Sequence, residues 1–224
     1  MKRRFVALFA LVLCLSPWGC RAGGKLLKQA LFPTDVQIVR YHVKANLESL
    51  EEFTRRLYLK NPKFEKDLKM RKDKINGIFH GGELPQTDYT DKPSHMVLEA
   101  AFTANPTYQD RIFLLGLGLA KSIRETYHVE GGPVVSSMEI SLEQLEKLYH
   151  NISHVKWRLK VYRDEGGDAL FLTNEPGEDG YINMGYEVIL TEVLTRIQDD
   201  IFLRGGSPPK LFFTMSTLFL SIAL

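Results

Sequence analysis

The chain has 224 residues, with 29 basic side chains, 27 acidic side chains and a hydrophobic content of 44%. This length leaves room for a leader and one domain with a proper core, and the composition is that of an ordinary globular protein. Removing residues 1–19 would take away three basic residues and leave 26 basic against 27 acidic ones, so we expect no nucleic-acid partner.

The first twenty residues have the form of an export signal. Basic residues at positions 2–4 precede an apolar run at positions 5–15, and the run is followed by the letters SPWGC. A basic region, an apolar run and a small residue before the cut are the parts of a secretory signal peptide. We therefore expect residues 1–19 to be a signal peptide and the remaining chain to be exported.

The residues at the cut indicate how the exported chain is held. Gly19 and Cys20 resemble the end of a bacterial lipoprotein signal, in which a small residue precedes the cysteine that becomes the diacylated N-terminus, although Pro17 and Trp18 differ from that pattern. The resemblance implies lipidation of Cys20, a tether over residues 20–33 and anchorage to a membrane of the bacterial cell envelope. It implies nothing about the domain that follows.

Cysteine counting independently favours lipidation. Cys14 lies within the signal, so Cys20 is the one cysteine of the exported chain. A lone thiol cannot form an internal disulfide, and acylation removes an unpaired thiol from an oxidising compartment. The alternative is ordinary cleavage after Ala22, which would give a secreted or periplasmic soluble protein.

The sequence predicts a long helix over residues 34–60, with a break near Asn46 as an alternative. Thr34 and Gln37 match a capping box, and apolar residues recur at intervals of three and four. A strand over residues 36–43 is the competing interpretation, because that segment is rich in β-branched residues. Asn61 and Pro62 predict the end of this helix and the start of the next, since proline is tolerated in a first turn.

The junction between these two helices is unusually basic. Between positions 55 and 74, nine basic residues stand against three acidic ones. One interpretation is a surface for anionic lipid headgroups or for an acidic envelope protein, and the other is an ordinary solvated helix face. The residues predicted for that surface are Arg55, Arg56, Lys66, Lys69, Arg71 and Lys72.

Residues 110–127 form the most apolar helical segment, preceded by a short helix that Ser94 is predicted to cap. A helix that is apolar all round must be wrapped by other elements, and its apolar part is too short to span a bilayer. Gly116 and Gly118 would be costly in a solvated helix, so they predict close approach of neighbouring helices. A pair of buried strands is the weaker alternative.

Ser141 and Gln144 predict the start of another helix through a second capping box. An apolar stripe runs along one side of this helix, while Trp157 and several polar residues fall on the other side. The final helix is predicted over about residues 183–203. The apolar residues 211–224 are predicted to form a C-terminal helix that completes the core, with a membrane-contacting tail as the lesser alternative.

Two histidines on the polar side suggest a metal site. His150 and His154 are separated by one helical turn, and Glu146 lies one turn earlier, so the three could share a metal ion with His80 or His95 from elsewhere. That interpretation gives the alternative function, a metal-assisted hydrolase of the envelope. Paired helical histidines are more often surface residues, or residues half-buried beneath another helix that also covers Trp157.

The sequence contains no catalytic motif that we can assign. It lacks a G-x-S-x-G elbow, a P-loop and a dinucleotide fingerprint, and it offers no cysteine as a nucleophile, so we expect neither a catalytic residue nor a cofactor. The predicted architecture is one all-α domain over residues 34–224, a bundle of about six or seven helices. The leading functional hypothesis is a binding or scaffolding lipoprotein of the bacterial envelope.

Overall fold

A computed structural model describes residues 34–129, 140–173 and 185–222. These residues form α-helices and no strand, apart from an isolated antiparallel bridge between Arg163 and Ala169. The all-α fold is therefore confirmed, and no helix in these ranges is both long and apolar enough to cross a bilayer. The helices are α1 Thr34–Lys60, α2 Leu68–His80, α3 Ser94–Phe102, α4 Arg111–Thr126, α5 Leu142–Val161 and α6 Gly185–Phe202.

The apolar helix α4 lies at the centre of the bundle. It packs against α1, α2, α3 and α5, and all its residues from 111 to 120 are buried. A Cβ atom at Gly118 would lie 2.8 Å from Leu98 Cδ2, and one at Gly116 would lie 2.9 Å from Thr54 Cγ2. The predicted close approach of neighbouring helices at these two glycines is confirmed, since any side chain there would displace α3 or α1.

Helix α1 is continuous, so the predicted alternatives of a strand over residues 36–43 and a break near Asn46 are wrong. Two buried carboxylates fix it against α4 and α6. Tyr58 donates a hydrogen bond to Asp110 Oδ2 at 2.8 Å, near the start of α4. Asp200 of α6 accepts one from Tyr127 at 2.6 Å and lies 3.0 Å from His42 of α1. Helix α1 is thus held near both ends by polar contacts.

Two predicted helix starts differ from the observed ones. Helix α2 begins at Leu68 because the Asp67 carboxylate accepts hydrogen bonds from the backbone amides of Lys69 and Met70, so the prediction of a start at Pro62 was wrong. Ser94 does not cap α3, because its hydroxyl and amide both donate to Glu125 of α4.

The capping box at the start of α5 is confirmed. The backbone amide of Gln144 donates to Ser141 Oγ at 3.1 Å, and the Gln144 side chain accepts from the Ser141 amide. Both partners lie within four residues of each other, so this helix start is encoded locally.

The C-terminal tail, residues 205–222, is not the predicted helix. It runs outward along α5, turns at residues 214–217 and then returns along the same helix. Hydroxyl side chains in the turn bond to local polar groups, including a 2.8 Å bond from the Thr214 amide to Thr217 Oγ1, and such bonds compete with helix formation. Phe219 and Ile222 are nevertheless buried in the core.

Candidate functional site

Two of the predicted surface cations are engaged within α1. Arg55 donates two hydrogen bonds to the Glu52 carboxylate, both at 2.7 Å, and Arg56 donates one to the same group. The hydrogen bonds from Arg55, together with those from Arg56, hold the pKa of Glu52 below its usual value despite partial burial. These two arginines are therefore already paired with a carboxylate.

Two further cations of the basic stretch are structural. Arg71 is 9% exposed and donates from Nε to the Glu65 carbonyl at 2.6 Å. The Lys74 ammonium is buried between Glu65 Oε2 and Asp110 Oδ2, at 2.7 Å from each. Burial disfavours its charge, but the hydrogen bonds to Asp110 and Glu65 raise the pKa of Lys74 overall. Lys74 thereby joins α2 to the start of α4.

The remaining predicted cations, Lys66, Lys69 and Lys72, are exposed, and so are the neighbouring Leu68 and Met70. We call these five residues the basic surface. The three ammonium groups make no ion pair with any residue that the structure describes. Leu68 is 69% exposed and Met70 is 43% exposed between them. The basic surface therefore combines unneutralised positive charge with accessible apolar side chains, which suits contact with an acidic partner.

A cleft of about 440 Å³ opens beside the basic surface. It lies between α2 and residues 83–86, and its lining includes Met70, Asp73 and Asn76. Because polar and apolar groups both reach the cleft, it can accept a side chain of a bound partner next to the lysines.

The predicted histidine pair lies on what we call the aromatic face of α5: His150, His154 and Trp157, with Phe213 and Phe219 of the tail above them. The two histidine rings are 5.8 Å apart between centroids, and Phe213 stacks on His154 at 4.9 Å with an angle of 3°. The predicted covering of Trp157 is thus provided by the extended tail and not by a helix.

The surroundings of His154 keep its ring neutral. Arg158 donates from Nε to His154 Nε2 at 3.0 Å, while His154 Nδ1 is buried without a hydrogen-bond partner. Burial, with added repulsion from Arg158 and His150, lowers the pKa of His154 to about 3. His154 Nε2 therefore accepts a hydrogen bond from a guanidinium, and the neutral ring keeps its single proton on Nδ1.

Of the other predicted metal ligands, Glu146 lies one turn before His150, whereas the two histidines lie elsewhere. Glu146 is half-buried on α5, His80 is 3.0 Å from Glu51, and His95 lines a different cavity between α3 and the tail. Over residues 34–129, 140–173 and 185–222, no group of three or more His, Cys, Asp or Glu side chains could hold a metal ion. Cys20 lies outside the described residues.

Sequence reasoning missed the role of Arg158, which is 1% exposed. Its guanidinium donates to Glu99 at 2.9 Å and to the Thr217 carbonyl at 2.7 Å, and it lies 4.5 Å from the centre of the Phe219 ring. This one side chain joins α5, α3 and the tail. Its place one turn after His154, at the edge of the apolar stripe, was the available signal.

Comparison of the chain with protein-family models, curated proteins and solved structures finds no match.

Proposed function

We propose that this chain is a binding protein of the bacterial cell envelope, anchored to a membrane by acyl chains on Cys20, and that its basic surface contacts an acidic protein. The observation that carries the proposal is the contrast within one basic stretch. Arg55, Arg56, Arg71 and Lys74 are engaged by protein groups, whereas the three lysines of the basic surface are exposed around two accessible apolar side chains. Such unneutralised charge steers an oppositely charged partner and sets its orientation.

The basic surface lies near the end of α1 that is opposite to Thr34. Helix α1 has 27 residues, so it separates Thr34 from Lys60 by roughly 40 Å. Helix α2 starts beyond that far end, and its last residue, His80, returns to Glu51. A chain that enters the described residues at Thr34 therefore has the basic surface near the other end of α1.

The anchorage is tested by mass spectrometry of the protein isolated from bacterial membranes. We expect an N-terminal peptide that begins at Cys20 and carries acyl chains, and a Cys20→Ser variant that lacks this mass and leaves the membrane fraction. A mature chain that begins downstream of Cys20, or one that retains its leader in the cytosol, would contradict the anchorage.

The binding surface is tested by replacing Lys66, Lys69 and Lys72 with glutamine. Proteins retained from a detergent extract of the envelope are quantified by mass spectrometry for this variant and for the wild type. We expect the triple variant to lose an acidic protein that the wild type retains, with the loss reproduced by raising the salt concentration.

The matched control replaces Lys44, Lys147 and Lys160, which lie elsewhere on the surface in pairs with carboxylates. It removes the same charge and should retain the acidic protein. Equal retention by both triple variants would reject the basic surface as the binding site. Loss of binding to phosphatidylglycerol vesicles alone would assign the surface to lipid headgroups.

A further inference from the structure

Residues 211–222 of the C-terminal tail have an inward and an outward face. Phe213, Phe219 and Ile222 pack inward, the latter two buried in the core. Besides Thr214, Ser216 and Ser221, the outward side chains include four large apolar ones that are unusually exposed for their size. They are Phe212 at 87%, Met215 at 63%, Leu218 at 65% and Leu220 at 39%.

We propose that this outward face docks on a lipid bilayer, with the turn at residues 214–217 entering the interface between headgroups and acyl chains. The inference rests on the proposed function in one respect, because the anchor on Cys20 is what brings the tail to a bilayer. The docking itself depends only on residues of the tail and its surroundings.

The charge pattern fits a membrane surface. Residues 211–222 contain no charged side chain, so nothing on the tail opposes its entry into an apolar layer. Two lysines stand at its borders: Lys210 is exposed immediately before it, and Lys92 lines the cavity that also contacts Leu218. The one acidic residue that lines this cavity, Glu99, is paired with Arg158. An uncharged apolar face bordered by lysines matches an apolar interior beneath anionic headgroups.

Several backbone groups of the turn are paired within the protein. The amides of Thr214 and Thr217 bond within the turn, to Thr217 Oγ1 and to the Thr214 carbonyl. The carbonyls of Met215 and Thr217 accept from Tyr162 and Arg158 of α5. Unpaired backbone groups are costly in lipid, and these groups are paired inside the protein. The same pairing withdraws them from a partner strand that would add at this edge.

The outward face of the tail and the basic surface belong to different elements of the bundle. The tail packs on α5 and reaches α3 through Phe219 and Arg158, whereas α2 packs on α1 and α4. The turn lies beside Tyr162 at the end of α5, where Asp164 pairs with Lys63, so it shares one end of the bundle with the start of α2. Membrane docking would fix the orientation in which the lysines are presented.

The test uses a chain that begins at residue 21, which keeps all six helices and the core and contains no cysteine. Its binding to vesicles of phosphatidylcholine with phosphatidylglycerol is measured by flotation. We expect a Phe212→Ser/Met215→Ser/Leu218→Ser variant to show a partition coefficient about tenfold lower than the wild type. A Tyr41→Ser/Leu59→Ser/Val188→Ser control, which changes three exposed apolar residues elsewhere, should remain within about twofold.

A second measurement reports the environment of the turn directly. An environment-sensitive fluorophore on Met215→Cys should shift to the blue on vesicle addition, and the same label on Leu59→Cys should not. Emission of Trp157, the one tryptophan after residue 20 and 6.0 Å from the Phe213 ring, shows that each variant keeps its tail in place.

Equal partition of the wild type and the tail variant, with no shift at position 215, would overturn the docking proposal. A dimer in sedimentation that the tail variant disperses, without vesicle binding, would overturn it in favour of a second copy of the chain. Because the tested chain lacks Cys20, either result leaves the mass-spectrometric test of anchorage separate.

Discussion

The basic surface of α2 and the aromatic face of α5 are polar sides of two helices that have become very different environments. On α2, Lys69 and Lys72 remain in water, whereas on α5 the side chains of His154 and Arg158 are 0% and 1% exposed. The difference comes from the C-terminal tail, which returns across α5 and brings two phenylalanines onto it. A polar helix face is therefore a surface or an interior depending on a segment far away in the sequence.

Replacing Arg158 with alanine should produce the largest loss of stability. It would leave Glu99, His154 and the Thr217 carbonyl without their donor, and breaking a buried charged pair costs about 3 kcal/mol or more. We expect the lower end of that range because the Glu99 side chain is 38% exposed. Urea unfolding gives the value, and the exposed Arg163→Ala control should change stability by less than about 0.5 kcal/mol. If Arg158→Ala and Arg163→Ala lowered the free energy of unfolding by similar amounts, the aromatic face would not behave as a buried part of the protein.

Asn151→Ala should come next, because it removes the attachment of the returning tail. The Asn151 amide donates to the Leu220 carbonyl and accepts from the Leu220 amide, both at 2.8 Å. Loss of this buried pair should reduce the free energy of unfolding by about 2 kcal/mol. Hydrogen exchange at Leu220 should accelerate more than exchange in α4, whereas Asn105→Ala, at an exposed position, should alter neither. Unchanged exchange at Leu220 would mean that the tail is held by other contacts.

The buried histidine should make stability depend on pH. The pKa of His154 is about 3 in the folded protein, against an ordinary value of 6.5, so the unfolded chain binds the proton more tightly. The contribution of the neutral ring to the free energy of unfolding is fully present above about pH 6.5 and is lost as the pH falls toward 3. In urea unfolding experiments, the difference in free energy of unfolding between wild type and His154→Phe should shrink or change sign as the pH falls through that interval.

The groups around His154 that bear on this titration are Arg158 and His150 on α5, with Glu99 reached through Arg158, while the tail adds only uncharged rings. A His80→Phe control removes an exposed imidazole and should keep the wild-type dependence. If the difference in free energy of unfolding between wild type and His154→Phe stayed constant across pH 3–6.5, the burial of a neutral His154 ring would be refuted.

The smallest effect is expected at the basic surface. Replacing Lys66, Lys69 and Lys72 with glutamine should change the free energy of unfolding by less than about 0.5 kcal/mol, because exposed cations without partners contribute little to stability. Lys74→Gln in the same helix should cost clearly more, since Glu65 and Asp110 would lose their shared cation. If the two variants were equally destabilised, the distinction between structural and available lysines would fail.

The sequence predicted the parts of the fold that depend on nearby residues. The uniformly apolar segment around Leu115 is the buried central helix, and Ser141 begins α5 through contacts with a residue three positions away. Long apolar periodicity and short-range caps are both read directly from the chain. The start of α2 was missed because Asp67 outcompeted the proline at position 62 as the helix-starting residue.

The features that could not be predicted depend on distant partners. Lys74 looks like its neighbours on α2 until Asp110, 36 residues later, is placed beside it. His154 and Trp157 looked like solvent-facing or helix-covered residues because no local pattern shows that an extended tail returns over them. Lipidation of Cys20 and the binding role of the basic surface remain predictions, as does the metal-assisted alternative at Glu146, His150 and His154.

The two carboxylates that hold α1 also determine how far it can slide. Residues 112–120 of α4 are all apolar, and hydrophobic contacts with such a segment have little directional preference. Asp110 receives Tyr58 at one end, and Asp200 receives His42 and Tyr127 at the other. A shift of α1 by one turn, about 5.4 Å, would separate Tyr58 from Asp110 and His42 from Asp200 at once. The polar contacts near its two ends thus fix the position of α1 along the axis of the central helix.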